Sequence, residues 1–524
     1  MSKKTYLNHN NRIDLLKYIC LCAGITLFLF LVIYMVANNK NERADSDCIQ
    51  EGYNENELIK DGSACNKEKD ASNSLDGTTD DKAYDSKENF KEISVESYEE
   101  NFKDDSAADY PKYLTKEDLN KLYKNNIRVL ITTGNYESVF HENITISADT
   151  DFHCSYEKND KVVIKKYDSG EKWQLKNGEY PTGTIISLET ENNDGDWTIS
   201  SVQHGKDKVK YIGKFDILQE EEGLVLINEL SLEEYLCSVI CSEMPSSYPY
   251  EALKAQAVAA RTYAFRNLVL PAYPQYNANL DDSTMFQVYN NISRNSKTDQ
   301  VVYETKGMIL IDFNNLPYET YYYSTSCGNT KDQLNLSEDK YFSEYIGNVN
   351  EEDFEKNESF YRWSYQNQKL DVSKMYYILC MQNNNDYYRV KKFAEVYDIY
   401  VNRRGNDGVA EELCILTDCG KYTIYGEYYI REILKNSSDK ITKQDGKEFT
   451  LGKLLPSAYF VMMLVKEDGI VTGFDLIGGG FGHGKGMSQN GAKNMAENSY
   501  DAVEILKYYY KDAIVFSLSS EENE

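Results

Sequence analysis

The sequence predicts an α+β fold, a β-rich extracytoplasmic domain with a few packed helices behind one N-terminal transmembrane helix. Three observations predict it. The run YICLCAGITLFLFLVIYMVA, Tyr18 to Ala37, carries no charge and at helical rise spans about 30 Å, the thickness of a hydrocarbon core. Short β-like runs such as IRVLITT at Ile127–Thr133 and GLVLINEL at Gly223–Leu230 alternate with Asn, Asp and Gly clusters that mark turns. One strongly helical stretch, SLEEYLCSVICSEMPSSYPYEALKAQAVAARTYAFRNLVL, interrupts them.

Taken in order, residues 1–17 read as a short cytoplasmic tail, because Lys3, Lys4, Arg12 and Lys17 precede the apolar run and acids dominate after it. The 18–37 run is too long for an ordinary signal-peptide core and lacks a following A-x-A site, which favours an anchor over a cleaved signal. Residues 38–110 are rich in Asp, Glu, Lys, Asn and Ser and have no helical or strand period. Such a segment buries too little apolar surface to offset its ordering entropy, so it reads as a disordered acidic linker. Cys48 and Cys65 lie inside it.

The folded domain is expected over 111–517, followed by an acidic tail at 518–524. Ser231 with Glu234 forms a capping-box pattern for a helix that Pro245 stops, and Pro249 is placed in the first turn of a second helix reaching Leu270. Alanines 252, 257, 259, 260 and 264 predict close packing of that second helix. Further β-like runs, GMILIDF, ELCILTD and KYTIYG, lead to a glycine-dense loop and a last helix capped by Asp501 and Glu504. No fixed-period repeat is present, which argues against solenoids and propellers.

Composition excludes one class of partner. A net charge of -28 over 524 residues leaves no basic face for phosphate backbone, so no nucleic acid is expected. The 11 cysteines include no C-x-x-C pair, and Cys237 and Cys241, one helical turn apart, read as buried thiols. Cys327 in S-T-S-C-G reads the same way.

Six residues stand out for chemistry. Glu243, in Cys-Ser-Glu-Met-Pro, sits at a helix exit beside apolar Met244 and Pro245, surroundings that raise a carboxyl pKa as a general acid requires. Ending a helix, or pairing with Lys254 or Arg261, is the account that the residues alone favour. His483, in GGGFGHGKGMSQNG, either meets a ligand or holds loop backbone. Ser488 and Gln489 offer hydroxyl and amide groups to a ligand, and Ser488 also suits a helix cap. No Asp partner or nucleophile elbow accompanies Ser488 and His483, so a hydrolase dyad is not indicated. Arg261 and Lys254 fall two turns apart on one helix face, where they line an anionic groove or form structural ion pairs. The 45 tyrosines supply possible sugar-stacking surfaces.

The segments LSLEEYLCSVICSEMPSSYPYEALKAQAVAARTYA, YYYSTSCGNT and GGGFGHGKGMSQNGAKNMAENSYDAVEILKYYY resemble, in order, the signature stretches of the stage II sporulation protein D and amidase-enhancer family. The resemblance runs roughly from Leu122 to Val515. It implies a membrane-anchored peptidoglycan lytic transglycosylase whose helices pack at a glycan cleft, cutting strands between N-acetylmuramic acid and N-acetylglucosamine. Glu243 matches the family's proposed catalytic acid. His483, Ser488, Gln489, Arg261 and Lys254 become substrate-binding candidates. The implied partners are denuded glycan strands, an amidase of the stage II sporulation P type and other sporulation membrane proteins, acting in forespore engulfment. A non-catalytic amidase enhancer is the alternative from another class. No cofactor is expected. Some members carry His and Cys residues able to bind zinc before a Gln-x-Tyr motif, but here that segment, YNANLDDSTMFQVYNN, contains neither. Phe481 replaces a common Trp and Asn329 a common Gly, changes expected to touch substrate fit.

Overall fold

The computed structural model describes residues 111–519, apart from 194, 206–208, 291, 329–333, 383–389 and 437–439. The tail 1–17, the span 18–37, the linker 38–110 with Cys48 and Cys65, residues 520–524 and Asn329 lie outside the described residues. Among the described residues no helix is long and apolar enough to cross a membrane. The fold is α+β.

After a first helix α1 (Lys116–Tyr123), strands β1 (Ile127–Ile131), β2 (Asn143–Ala148), β3 (Phe152–Lys158), β4 (Lys161–Tyr167), β5 (Trp173–Lys176), β6 (Ile185–Thr190), β7 (Trp197–Ile199), β8 (Lys214–Gln219) and β9 (Leu224–Leu230) follow in turn. With β10 (Leu280–Asp281) they form a seven-stranded sheet in the order β10-β1-β9-β8-β6-β3-β4 and a three-stranded sheet β5-β2-β7. Only the β1–β10 pairing is parallel in the larger sheet. Alternating burial along β2 and β5 gives each one apolar face toward the shared core.

Two helices cross behind this sheet. Helix α2 (Leu232–Glu243) begins at Ser231, whose hydroxyl accepts the Glu234 amide at 3.3 Å. The expected reciprocal half of the capping box is not made. Glu234 instead accepts from Arg294 at 2.7 Å, a charge-assisted bond that outcompetes a backbone amide. Helix α3 (Tyr250–Val269) starts one residue later than predicted, with Pro249 as the cap residue at φ -55 and ψ 148.

The alanine pattern of α3 explains its central place. Ala257, Ala260 and Ala264 pack in the sheet core, whereas Ala252, Ala255 and Ala259 pack against helices near the C-terminus. Each set follows a helical i, i+3, i+7 spacing, so one helix serves two cores and is buried all round. Helix α4 (Ser296–Glu304) packs beside α2 and α3.

Past Tyr323 the chain enters a region with its own core, built from a five-stranded sheet, a three-stranded sheet and intervening helices. It returns through the glycine-dense loop, where Met487–Ser488 pairs in parallel with Tyr322–Tyr323. Helices Gln489–Glu497 and Ala502–Tyr509 follow, the second with the complete Asp501/Glu504 capping box expected from sequence. The final strand, Ile514–Ser517, pairs with Met308–Ile311. Residues far apart in sequence thereby converge at the C-terminal end of α2.

Candidate active site

Glu243 is the last residue of α2, and Met244 leaves the helix in extended conformation before Pro245. One carboxyl oxygen, Oε1, accepts the Val288 amide at 2.7 Å. The Tyr322 hydroxyl also bonds the carboxyl. A short relay fixes that hydroxyl. Tyr235 donates to Gln287 Oε1 at 3.2 Å, and Gln287 Nε2 donates to Tyr322 Oη at 3.0 Å and to the Ala260 carbonyl at 3.2 Å. Because the Tyr322 oxygen already receives a proton from Gln287, its own O–H is left to point at Glu243.

The electrostatics follow from this packing. Among the described residues no cation pairs with Glu243, and burial pushes its carboxyl up to about 7 against the smaller opposing pull of the Val288 and Tyr322 hydrogen bonds. The helix C-terminus adds carbonyl dipoles that also disfavour a negative charge there. The residue keeps some exposed surface. A group that is half protonated near neutral pH, with Oε1 occupied by an amide, carries its proton on Oε2 and can give it to a bound ligand.

The other predicted residues fall into different places. Gln489 comes to Glu243, but through the backbone: its Nε2 donates to the Glu243 carbonyl at 3.1 Å. His483 accepts the Lys485 amide at Nδ1 (3.1 Å), which leaves Nε2 to donate to the Tyr322 carbonyl at 3.0 Å. Burial lowers the imidazole pKa, consistent with a neutral ring. His483 thus braces the strand that delivers Tyr322. The glycines around it permit this: a Cβ on Gly486 (φ 76) would lie 1.9 Å from the Tyr321 carbonyl oxygen, and one on Gly484 2.2 Å from the Tyr459 hydroxyl.

For the other three residues the structure shows the structural alternative that their sequence left open. Arg261 lines no groove. It is fully buried and bidentate to Glu233, with further bonds to Val302, Thr305, Ala257 and Met308. Lys254, two turns nearer the helix start on the same stripe, pairs with Glu251 at 3.2 Å and Glu304 at 3.4 Å. Ser488 is fully buried, caps the helix through the Gly491 amide and donates to Glu355 at 2.6 Å. Phe481 packs on Phe360 and Phe449, within the core of the inserted region.

Sequence reasoning did not single out Tyr322, Gln287 or Val288 as site residues, although the YYYSTS and Gln-x-Tyr segments that hold them were visible. It also missed Glu355, a buried carboxyl pushed by burial up to about 8, which accepts from the Ser326 amide and Ser488. Two cavities, of 350 and 550 Å³, are lined by residues such as Asn290 and Arg294 or Asn126 and Glu229, and neither includes Glu243. The glycan cleft expected at Glu243 is therefore not one of them. Among the described residues no three His, Cys, Asp or Glu side chains converge to hold a metal ion, and the segment before Gln287 supplies no His or Cys. No zinc-dependent step is derived from these residues.

Residues 220–311 match the family model described as SpoIID, stage II sporulation protein, and residues 312–486 match one described as a domain of unknown function. An uncharacterized protein of Brachyspira hyodysenteriae is 29% identical over 58% of this chain and 71% of its own length. Stage II sporulation protein D of Bacillus subtilis is 28% identical over 54% of this chain and 74% of its own. The amidase enhancer of Bacillus subtilis is 26% identical over 52% of this chain and 39% of its own. The unknown-function match coincides with the inserted region, and the sporulation match contains Glu243.

Proposed function

Because the chain belongs to the stage II sporulation protein D family, we propose that it acts on peptidoglycan as a lytic transglycosylase with Glu243 as its proton donor. The observation that carries the reading is a carboxyl with no cation partner among the described residues, steadied by the Val288 amide and Tyr322 hydroxyl and pushed up to about 7 by burial.

The steps balance with that one group. Neutral Glu243 gives its proton to the glycosidic oxygen as the bond from muramic acid C1 to that oxygen breaks, and the N-acetylglucosamine fragment leaves with a hydroxyl. The Glu243 carboxylate then accepts the proton of the C6 hydroxyl on the same muramic acid, whose oxygen closes on C1 to give a 1,6-anhydro end. No water is consumed, in contrast to glycosidases that set two carboxylates across the bond. Tyr322 and the Val288 amide stabilise the carboxylate between the two transfers. His483 and Gln489 act by positioning, the first through the Tyr322 strand and the second through the end of α2.

The proposal extends to place: an anchor at 18–37, an extracytoplasmic catalytic domain, and strands stripped of stem peptides by a partner amidase during sporulation and engulfment. A second reading is favoured by a specific likeness, that to the protein named amidase enhancer. In it the same surface binds wall or amidase and does no chemistry. The full-length chain incubated with purified glycan strands, with and without stem peptides, separates the two by mass spectrometry of the products. Anhydro ends that vanish in Glu243→Gln support transglycosylation, and ends one water heavier indicate hydrolysis. Stimulation of an added amidase without strand scission supports the enhancer.

A further inference from the structure

A second group of buried polar residues gathers around Asp282, and the mechanism above does not use it. His204 and Asp282 have side chains 1% and 0% exposed, with Nε2 and Oδ2 2.9 Å apart. The other Asp282 oxygen accepts the Thr132 amide at 3.0 Å and the Thr132 hydroxyl at 2.7 Å, which fixes that end of the carboxylate, whereas among the described residues Oδ2 and the His204 ring nitrogens are buried without a hydrogen bond. On the face of the His204 ring lies Tyr136, stacked at 4.2 Å between centroids with the planes 7° apart. Tyr136 sits at φ 58, a left-handed conformation unfavourable for a bulky residue. Its loop is closed by bonds between Thr133 and Ser138. The strain is therefore held by specific contacts.

Two observations tie this arrangement to the candidate site. The Tyr136 phenol is close enough to feel both the Asp282 and the Glu243 carboxyls; together with burial, the larger cause, they push it up to about 12, so it keeps its proton at any pH near neutral. Among the described residues its hydroxyl has no hydrogen-bond partner. In addition, the segment that leaves Asp282 reaches Gln287 and Val288, the residues that hold Tyr322 and Glu243. A free donor on a rigid, strained platform near a proton donor is suited to meet a ligand.

We propose that Tyr136 is a substrate-contacting residue, its hydroxyl donating to a pyranose ring or acetamido oxygen of the glycan strand at Glu243, with His204 and Asp282 as positioning residues. The inference deepens the glycan reading and rests on it. It places the ligand between the loop that carries Tyr136 and the end of α2.

The test uses two readouts on the full chain, binding of denuded glycan strands by the Glu243→Gln protein and cleavage by the otherwise native one. Tyr136→Phe keeps the ring and the stack. It is expected to weaken binding and kcat/KM about ten- to a hundredfold, with an unchanged thermal midpoint. His204→Ala should weaken both, and should add little once Tyr136 is already Phe, because the two act as one unit. Wild-type binding and cleavage in Tyr136→Phe overturn the proposal for Tyr136 while leaving Glu243 intact. Strand binding without scission that still depends on the Tyr136 hydroxyl supports the contact while removing the transglycosylase reading. Failure of the native protein to bind or cut any glycan removes both.

Discussion

Helix α2 carries a glutamate at each end, and the two are handled in opposite ways. Glu233, in the first turn, meets the Arg261 guanidinium at 2.7–3.2 Å, the Tyr123 hydroxyl at 2.6 Å and the Gly307 amide at 3.2 Å. Glu243, in the last turn, receives one amide and one tyrosine hydroxyl, and no cation among the described residues. The helix dipole favours negative charge at the first position and opposes it at the second. The same side chain is thus an anchor where donors are many and a proton reservoir where they are few. Glu355 shows that burial alone does not make the second kind, since its raised carboxyl is spent on the Ser326 amide and Ser488 inside the core.

The largest effect expected from this contrast is catalytic. Glu243→Gln keeps shape and hydrogen bonding but removes the transferable proton, so anhydro-end formation should fall by about 10³-fold or more, some 4 kcal/mol of barrier. Glu355→Gln should leave the rate within a few fold. Equal losses in the two variants, read by product mass spectrometry, would show that both carboxyls react and would break the comparison.

The next effect belongs to the other end of the helix. Arg261→Ala strands Glu233 in the interior without its cation, which should cost about 3–5 kcal/mol in urea unfolding. Arg261→Met with Glu233→Gln should recover much of that loss, because the uncompensated charge is gone. A stable Arg261→Ala protein with impaired glycan binding would instead restore Arg261 to a groove.

A smaller effect separates the ends by pH. Below about 4.5 Glu243 is protonated in both folded and unfolded chains, and its contribution to stability is fully present. As pH rises toward about 7 the unfolded chain ionises first, and beyond that the folded site must hold a charge it disfavours, so the contribution is lost. Glu243→Gln should therefore match the native protein near pH 4 and exceed it near pH 9 by roughly 1–3 kcal/mol. Thermal midpoints across that range read the difference. A flat difference would mean that the carboxyl is not raised in the fold. The same titration predicts cleavage that declines above neutral pH as the proton donor empties.

How much of this was legible follows from the range of the interactions. The start of α2 at Ser231, its stop before Pro245 and the apolar setting of Glu243 are written within a few residues, and sequence reading reached them. Tyr322 stands 79 positions beyond Glu243 and arrives through the parallel pairing with Met487–Ser488, which no local pattern encodes. The mate of Arg261 was missed for a related reason. Helical spacing puts Arg261 and Lys254 on one side of α3, but that helix is enclosed along most of its length, so two residues on one stripe meet unlike surroundings. Ser488 matched its capping pattern, and only the three-dimensional fold shows that capping buries it away from solvent. The inserted core looked like more of the same β-rich chain because its strands share the composition of the first sheet.

Lys254 offers the smallest and most discriminating test of that misreading. Its side chain is 24% exposed and sits between Glu251 and Glu304, over the Tyr250 ring at 5.0 Å. Ion pairs so open to solvent contribute little after screening, so Lys254→Ala should change stability by less than about 1 kcal/mol. It should leave glycan affinity and cleavage unchanged at low and high salt alike. A salt-dependent loss of strand binding in this variant would mean that the anionic ligand runs along the outer face of α3, and that the helix stripe read from sequence describes the substrate path better than the contacts of Arg261 do.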